Sequence, residues 1–357
     1  MPTSLPVLSI AHVATGAPLD LDLDASGTPR RPVVVVDLPS AAQATKDDEV
    51  AATRRLTDAL PVVIGVDPNG LLDDGLMCRT PAWDGCDVVL SGYGERERPS
   101  PHGEVVIDDV WAGAAVLADR VSSAPLAAVS LVALLRQTEV LDVRAGLLAE
   151  SAAYSTLLAG PEHGAWLAAR IPRPEPLPCE PLVLRRAGDV LHITLTRPRR
   201  RNSVTAAVRD ALVDALAIAH ADPALRVELD AEGPDFSTGG DLDEFGTRPD
   251  VATAHIVRSD RSVGWAIHQI RDRVHVHVHG RALGSGLELP AFAGQVVASP
   301  DATFALPELA LGLVPGAGGT VSVTKRIGRW RTAWLALSGT TIDAPTARAW
   351  GLVDDLA

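Results

Sequence analysis

The chain has 357 residues, 46% of them hydrophobic and 22% charged, the balance of a folded protein with a large buried core and room for two domains. Acidic residues number 45 against 32 basic ones, a net charge of -13, which argues against nucleic acid as a partner because a phosphate-tracking surface needs a basic face. Three cysteines, Cys78, Cys86 and Cys179, are too few and too irregularly spaced for a disulfide framework or a zinc knuckle, which points to a reducing cytoplasm. The opening MPTSLPVLSI lacks the basic and apolar regions of a secretion signal, and no run of roughly 18 apolar residues occurs, so no membrane span is expected.

Taken from the N-terminus, residues 33–36, 62–66 and 88–90 are short valine-rich runs that predict buried strands, with a helix over 48–60 between the first two. From about residue 108 the pattern is helical, through 111–118, 126–135 and 141–159. No catalytic spacing is visible in residues 1–170. Alternating prolines at Pro172, Pro174, Pro176 and Pro178 forbid both helix and sheet, which makes 171–181 an expected extended linker.

Beyond it, 182–184 and 190–196 read as a hairpin turning at Ala187-Gly188-Asp189, and 205–220 as an amphipathic helix ended by Asp222-Pro223. A strand over 227–230 leads into a glycine-bearing loop at 233–241. A single long helix is expected over 250–271, then a strand at 274–278, a glycine turn, a helix to about residue 293, and a strand at 295–298. Such alternation predicts an α/β unit with mainly parallel strands and right-handed crossovers.

Two turns stand out, Phe236-Ser237-Thr238-Gly239-Gly240-Asp241 and Gly284-Ser285-Gly286-Leu287-Glu288, each following a predicted strand. Backbone N–H groups at such places lack ladder partners, and at a helix N-terminus they also lie in the positive end of its dipole, so they suit an oxyanion. Taken singly, either turn would equally serve close packing. The third segment, Pro307-Glu308 followed by Pro315-Gly316-Ala317-Gly318-Gly319-Thr320, changes the weighting.

The three segments, in this order and spacing, resemble the enoyl-CoA hydratase/isomerase family, also called the crotonase superfamily, over about residues 182–355. The resemblance implies a crotonase-type α/β spiral core acting on an acyl-CoA thioester. The amides of Thr238 and Ser285 would form the oxyanion hole, and Glu288 and Glu308 would be the catalytic acid and base. Arg201, Ser203, Gly239, Gly240, Asp241, Gly284, Gly286, Pro315 and Gly316 would border the substrate, Asp241 chiefly fixing its own loop and the arginines 199–201 offering phosphate contacts.

The resemblance implies hydration of an enoyl-CoA or its reverse. Isomerisation, thioester hydrolysis, carbon–carbon cleavage and a non-catalytic acyl-CoA-binding subunit are the other readings. It implies no permanently bound cofactor and a homo-oligomer, a trimer or dimer of trimers. His275, His277 and His279 alternate along one strand, a spacing able to hold a metal, but no companion ligand stands at ligand spacing and none is expected; they read as core or cleft histidines.

The family normally continues with helices that cover the acyl pocket. Residues 124–170, including Leu147-Leu148-Ala149-Glu150-Ser151 and Leu157 to His163, look like that segment, while 60–66 and 86–90 look like faint copies of family strands. The expected organisation is therefore a degenerate, mostly helical crotonase-like half (1–170) supplying covering helices, the linker, and a catalytic half (182–357) lacking the usual C-terminal helices.

Overall fold

A computed structural model describes residues 6–70, 81–92, 103–171, 180–247 and 250–357. The expected linker falls almost wholly outside these residues, as do Cys78 and Cys179. The chain divides into two compact units, Met1–Arg136 with Gly328–Ser338, and Gln137–Ile327 with Gly339–Ala357. The division thus falls between Arg136 and Gln137 rather than at the proline-rich segment, and the helical residues 143–169 belong to the unit of the C-terminal half.

The first unit is built on five parallel strands in sequence order: β1 (Val7–Ser9), β2 (Val33–Asp37), β3 (Val62–Asp67), β4 (Val88–Ser91) and β5 (Val105–Val106). Valine suits this pleated, two-sided burial, and all six residues of β3 are buried. Helices α1 (Ile10–Thr15), α2 (Lys46–Thr57), α3 (Val110–Ser123) and most of α4 (Pro125–Thr138) accompany them. Thr45 and Asp48 start α2 with a reciprocal capping box. Buried Asp87 accepts from Arg136 Nε at 2.8 Å and Nη2 at 2.6 Å, from Arg329 Nη1 at 3.3 Å, and from the Val63 amide at 2.9 Å.

The second unit opens with α5 (Val143–Leu158), capped by Asp142, and α6 (Pro161–Ala169). Next come β6 (Leu182–Ala187), β7 (Val190–Leu195), α7 (Ala206–Ala221), β8 (Arg226–Ala231), α8 (Val251–Asp260), α9 (Val263–Gln269) and β9 (Val274–Val278). Then follow β10 (Arg281–Leu283), α10 (Ser285–Glu288), β11 (Gln295–Ala298), β12 (Thr303–Ala305) and α11 (Gly319–Ile327). After α12 (Arg329–Ser338), which lies in the first unit, β13 (Ile342–Asp343), α13 (Ala344–Trp350) and β14 (Asp355–Leu356) complete the chain. The main sheet runs β14-β11-β9-β8-β7-β6, parallel except for the β6–β7 hairpin, and a small sheet runs β10-β12-β13.

Two predicted helices differ from the observed ones. The helix expected over 250–271 is two, because Ser262 accepts from the Trp265 amide at 3.2 Å and starts α9 afresh after α8 has ended at Arg261. The helix expected to reach residue 293 stops at Glu288 and continues as a 3-10 turn, Pro290–Phe292, since Pro290 has no N–H to extend an α-helical ladder. The three histidines also differ from expectation: His275 and His277 share Glu228 (3.3 and 2.8 Å) on a partly solvated sheet face, and His279 bonds the Gly233 carbonyl at 2.9 Å. Among the described residues no group of three metal-ligating side chains gathers there or elsewhere.

Candidate active site

The two glycine turns are zipped together. Phe236 N–H donates to His279 O at 2.9 Å, Ser237 N–H to Arg281 O at 3.1 Å and Leu283 N–H to Ser237 O at 2.9 Å, so the chain after β8 lies alongside β10. Close approach explains the glycines. Gly284 sits at φ +52°, ψ -124°, a conformation open essentially to glycine alone, and a Cβ there would come within 2.5 Å of Glu308 Oε1. Gly286 would place a Cβ 2.3 Å from the Ser237 carbonyl, so its smallness lets α10 back onto the first turn.

Together they border a cavity of about 470 Å³ that also receives side chains from α5, α8 and α9. Thr238, Gly239, Gly240, Asp241, Gly284, Ser285, Glu288, Glu308 and Gly316 line it; Arg201, Ser203, Gly286 and Pro315 do not. Ser203 instead donates to Asp241 at 2.8 Å, and Asp241 accepts from the Asp243 amide at 3.1 Å and pairs with Arg197 at 3.6 Å, bracing the first turn from behind. Arg199 and Arg201 are exposed, whereas Arg200 pairs with Asp243 at 2.8 Å.

The hydrogen bonding corrects the expected oxyanion donor on the first turn. Thr238 N–H donates to Arg201 O at 3.1 Å and is not free to meet a substrate. Val204 forms a parallel bridge opposite Gly240, donating to Gly239 O at 2.8 Å and accepting from Asp241 N–H at 3.0 Å. That pattern skips Gly240, whose N–H has no acceptor among the described residues. Ser285 N–H, at the start of α10, is likewise without one, and its buried hydroxyl has no partner among the described residues.

The carboxylates come from three places. Glu288 ends α10, is 2% exposed, and accepts through Oε2 from the amides of Ala317 at 2.7 Å and Gly319 at 2.8 Å. Burial pushes it up to about 7, against the lowering pull of those amides. Glu308 opens the 3-10 turn Glu308–Leu311; burial first, and then the charge of Glu288, raise it well above the ordinary carboxylate range, and its Oε2 has no hydrogen-bond partner among the described residues. The third, Glu150 on α5, accepts from Gly318 N–H at 2.7 Å and from Thr320 N–H and Oγ1 at 2.9 and 2.7 Å; burial, then Glu288, push it up to about 8.

The sequence marks Glu150 only as part of the covering segment and gives no sign of Tyr154 or Arg258, which also line the cavity. Their positions on α5 and α8 reach the site only through tertiary packing. The one available signal was the likeness of 147–163 to a covering helix.

A strand-framed cleft with free backbone donors beside buried carboxylates defines a site for acid/base chemistry on a carbonyl compound. The description enoyl-CoA hydratase/isomerase matches residues 185–357. Similar curated proteins are the 2,3-dehydroadipyl-CoA hydratase of Escherichia coli, 36% identical over 49% of this chain and 68% of its own length, and the cyclohexa-1,5-dienecarbonyl-CoA hydratase of Thauera aromatica, 36% identical over 49% and 66%. Among solved structures, an enoyl-CoA hydratase from Thermoplasma volcanium is 31% identical over 50% of this chain and 72% of its own, with a TM-score of 0.47. The chain spans about two thirds of the length of the curated relatives it matches. It belongs to the enoyl-CoA hydratase/isomerase family of enzymes, and its C-terminal half has the crotonase-type α/β fold.

Proposed function

We propose that the protein adds water to an enoyl-CoA, or runs the reverse dehydration. The observation that carries this reading is the pairing, on one cavity, of two buried glutamates in unlike environments with the amides of Gly240 and Ser285, which meet no acceptor among the described residues. Hydratases among the similar curated proteins support it.

The thioester oxygen would meet the Gly240 and Ser285 N–H groups. As water attacks the β-carbon, electrons of the double bond move to the α-carbon and the thioester oxygen gains charge, and one well-placed donor is worth about 3 to 4 kcal/mol of barrier. Glu288, held near 7 by burial against two amide donors, takes the proton from water. Glu308, raised by burial and by the charge of Glu288 and lacking those amides, is the group suited to deliver a proton to the α-carbon. One proton enters Glu288 and one leaves Glu308, so their exchange afterwards restores the site and the net change is addition of water.

Helices α5 and α6 contribute Leu147, Leu158 and Leu167 to the same cavity and would cover the acyl group. The first unit, with its parallel sheet, is in this reading a degenerate relative of the second.

The test is loss of enoyl-thioester absorbance with short enoyl-CoAs, followed by mass spectrometry for the gain of one water. Turnover that depends on both Glu288 and Glu308 supports the proposal. Binding of acyl-CoA without turnover of any enoyl-CoA overturns it in favour of a binding subunit.

A further inference from the structure

The cavity has cationic as well as acidic groups on its wall. Arg258, on α8, reaches α5, where Nε donates to Ser151 Oγ at 3.2 Å and Nη2 donates to the Ser151 carbonyl at 3.4 Å and to Ser155 Oγ. Its guanidinium lies 4.6 Å from the centre of the Tyr154 ring. All of these partners are neutral. No carboxylate among the described residues pairs with Arg258, and Nη1 donates to none of them. The contrast within the same unit is clear, because Arg200, Arg261 and Arg281 each meet an aspartate within 2.8 Å.

Arg144, on α5, lines the cavity in the same condition, donating to the Ser259 carbonyl at 3.1 Å and lying 5.5 Å from the Trp265 ring centre. A half-buried guanidinium with no carboxylate in contact gains from a ligand that supplies the charge. Burial depresses the Arg258 pKa, and the more distant charge of Glu150 only partly offsets it.

Tyr154 relates this group to the chemistry. Its phenol is raised chiefly by burial, lowered by Arg258, and raised again by Glu308, Glu288 and Glu150, so it feels both the cation and the carboxylates. Leu147, Leu148, Ala254, Val263 and Leu289 supply apolar lining to the same cavity. Such a cavity suits an acyl chain with an apolar middle and an acidic tip.

We propose that the acyl-CoA taken by this site carries a carboxylate at the end of its acyl chain remote from the thioester, and that the free Nη1 of Arg258 binds it. A carboxylate would accept a charge-assisted hydrogen bond from that nitrogen and supply the missing negative charge, which neither an apolar terminus nor a hydroxyl does. The inference rests on the reading of the site as an acyl-CoA cavity.

Binding to the full chain is measured calorimetrically for two saturated, unreactive acyl-CoAs of equal length, one ending in a carboxylate and one in a methyl, with free CoA as reference. The acid-tipped compound is expected to bind at least roughly tenfold tighter than the methyl-tipped one, as a charge-assisted pair would give. Arg258→Met should erase that preference and leave the methyl-tipped compound bound as well or better. Equal binding of the two by the unaltered protein overturns the proposal, and so does a preference that survives Arg258→Met. If Arg258→Met weakens free CoA as much as both thioesters, the arginine reads the CoA phosphates instead and the proposal fails. Failure of all three compounds to bind refutes the acyl-CoA cavity itself, whereas a preference without hydration of the matching enoyl-CoAs upholds the specificity and refutes only the hydratase reading.

Discussion

Glu150 and Glu288 hold one four-residue stretch of backbone between them: the amides of Ala317 and Gly319 donate to Glu288, and those of Gly318 and Thr320 to Glu150. Two buried acids on separate helices thus share one anchor, and the charge on Glu288 raises Glu150.

A pH dependence of stability follows. Both groups titrate higher in the folded protein (about 8 and about 7) than the 4.5 of an unfolded chain. The folded state therefore keeps protons that the unfolded chain has released, so their contribution is greatest below about pH 4.5 and is lost as pH rises through about 8, at up to about 1.4 kcal/mol per unit for each group. Thermal melts between pH 5 and 8 should show the melting temperature falling. Glu150→Gln should flatten the slope, and an unchanged slope would count against the shifted values.

Replacement of either catalytic candidate by its amide keeps shape and hydrogen-bonding size while removing the proton transfer. Glu288→Gln and Glu308→Gln should each lower kcat for enoyl-CoA hydration by roughly 10²- to 10⁴-fold with little change in melting temperature. Removing the negative charge of Glu288 or Glu150 should also lower the pKa of Glu308, which both raise. For Glu150→Gln, the alkaline limb of the rate profile should accordingly move to lower pH.

Gly284 is the glycine whose replacement would press directly on Glu308. Gly284→Ala would place a methyl 2.5 Å from Glu308 Oε1 at a positive φ, displacing the carboxylate and straining the backbone by roughly 1 to 3 kcal/mol. Activity should drop at least tenfold and the melting temperature should fall with it. A variant with normal turnover would place Glu308 outside the chemistry.

In the first unit, Asp87 is 1% exposed and faces Arg136 and Arg329. Asp87→Ala strands two guanidinium groups and the Val63 amide, and should cost about 3 to 5 kcal/mol, read as a lower denaturation midpoint. Beside it, burial pushes the Cys86 thiol up to about 12, so thiol reagents should leave it unmodified until the unit unfolds.

Much of the site was legible because its chemistry demands unusual letters. Glycines at 239, 284 and 286 answer to positive φ or to backbones in contact, and these needs leave a local trace in the sequence. The choice between the amides of Thr238 and Gly240 left none, since it depends on which residue Val204 bridges across the fold. Glu150 stands 138 positions before Glu288, and nothing in a heptad-like run of leucine and alanine marks it as part of a distant cavity. The break between α8 and α9 was hidden for another reason, as Arg261-Ser262 contains neither glycine nor proline, and only the Ser262 cap reveals a new start. The three-residue strands β10 and β12 are too short to show alternation.

The anchoring of residues 317–320 bears on how the molecule assembles. Helix α11 begins at Gly319, and the donors that any helix leaves unmet at its beginning are here satisfied by carboxylates from 29 to 170 positions earlier in the chain rather than by a neighbouring serine or aspartate. As an isolated peptide this segment would lack those acceptors and its first turn would fray. The same two carboxylates thus tie the start of that helix to the walls of the candidate cleft, so a change at either one is felt by both.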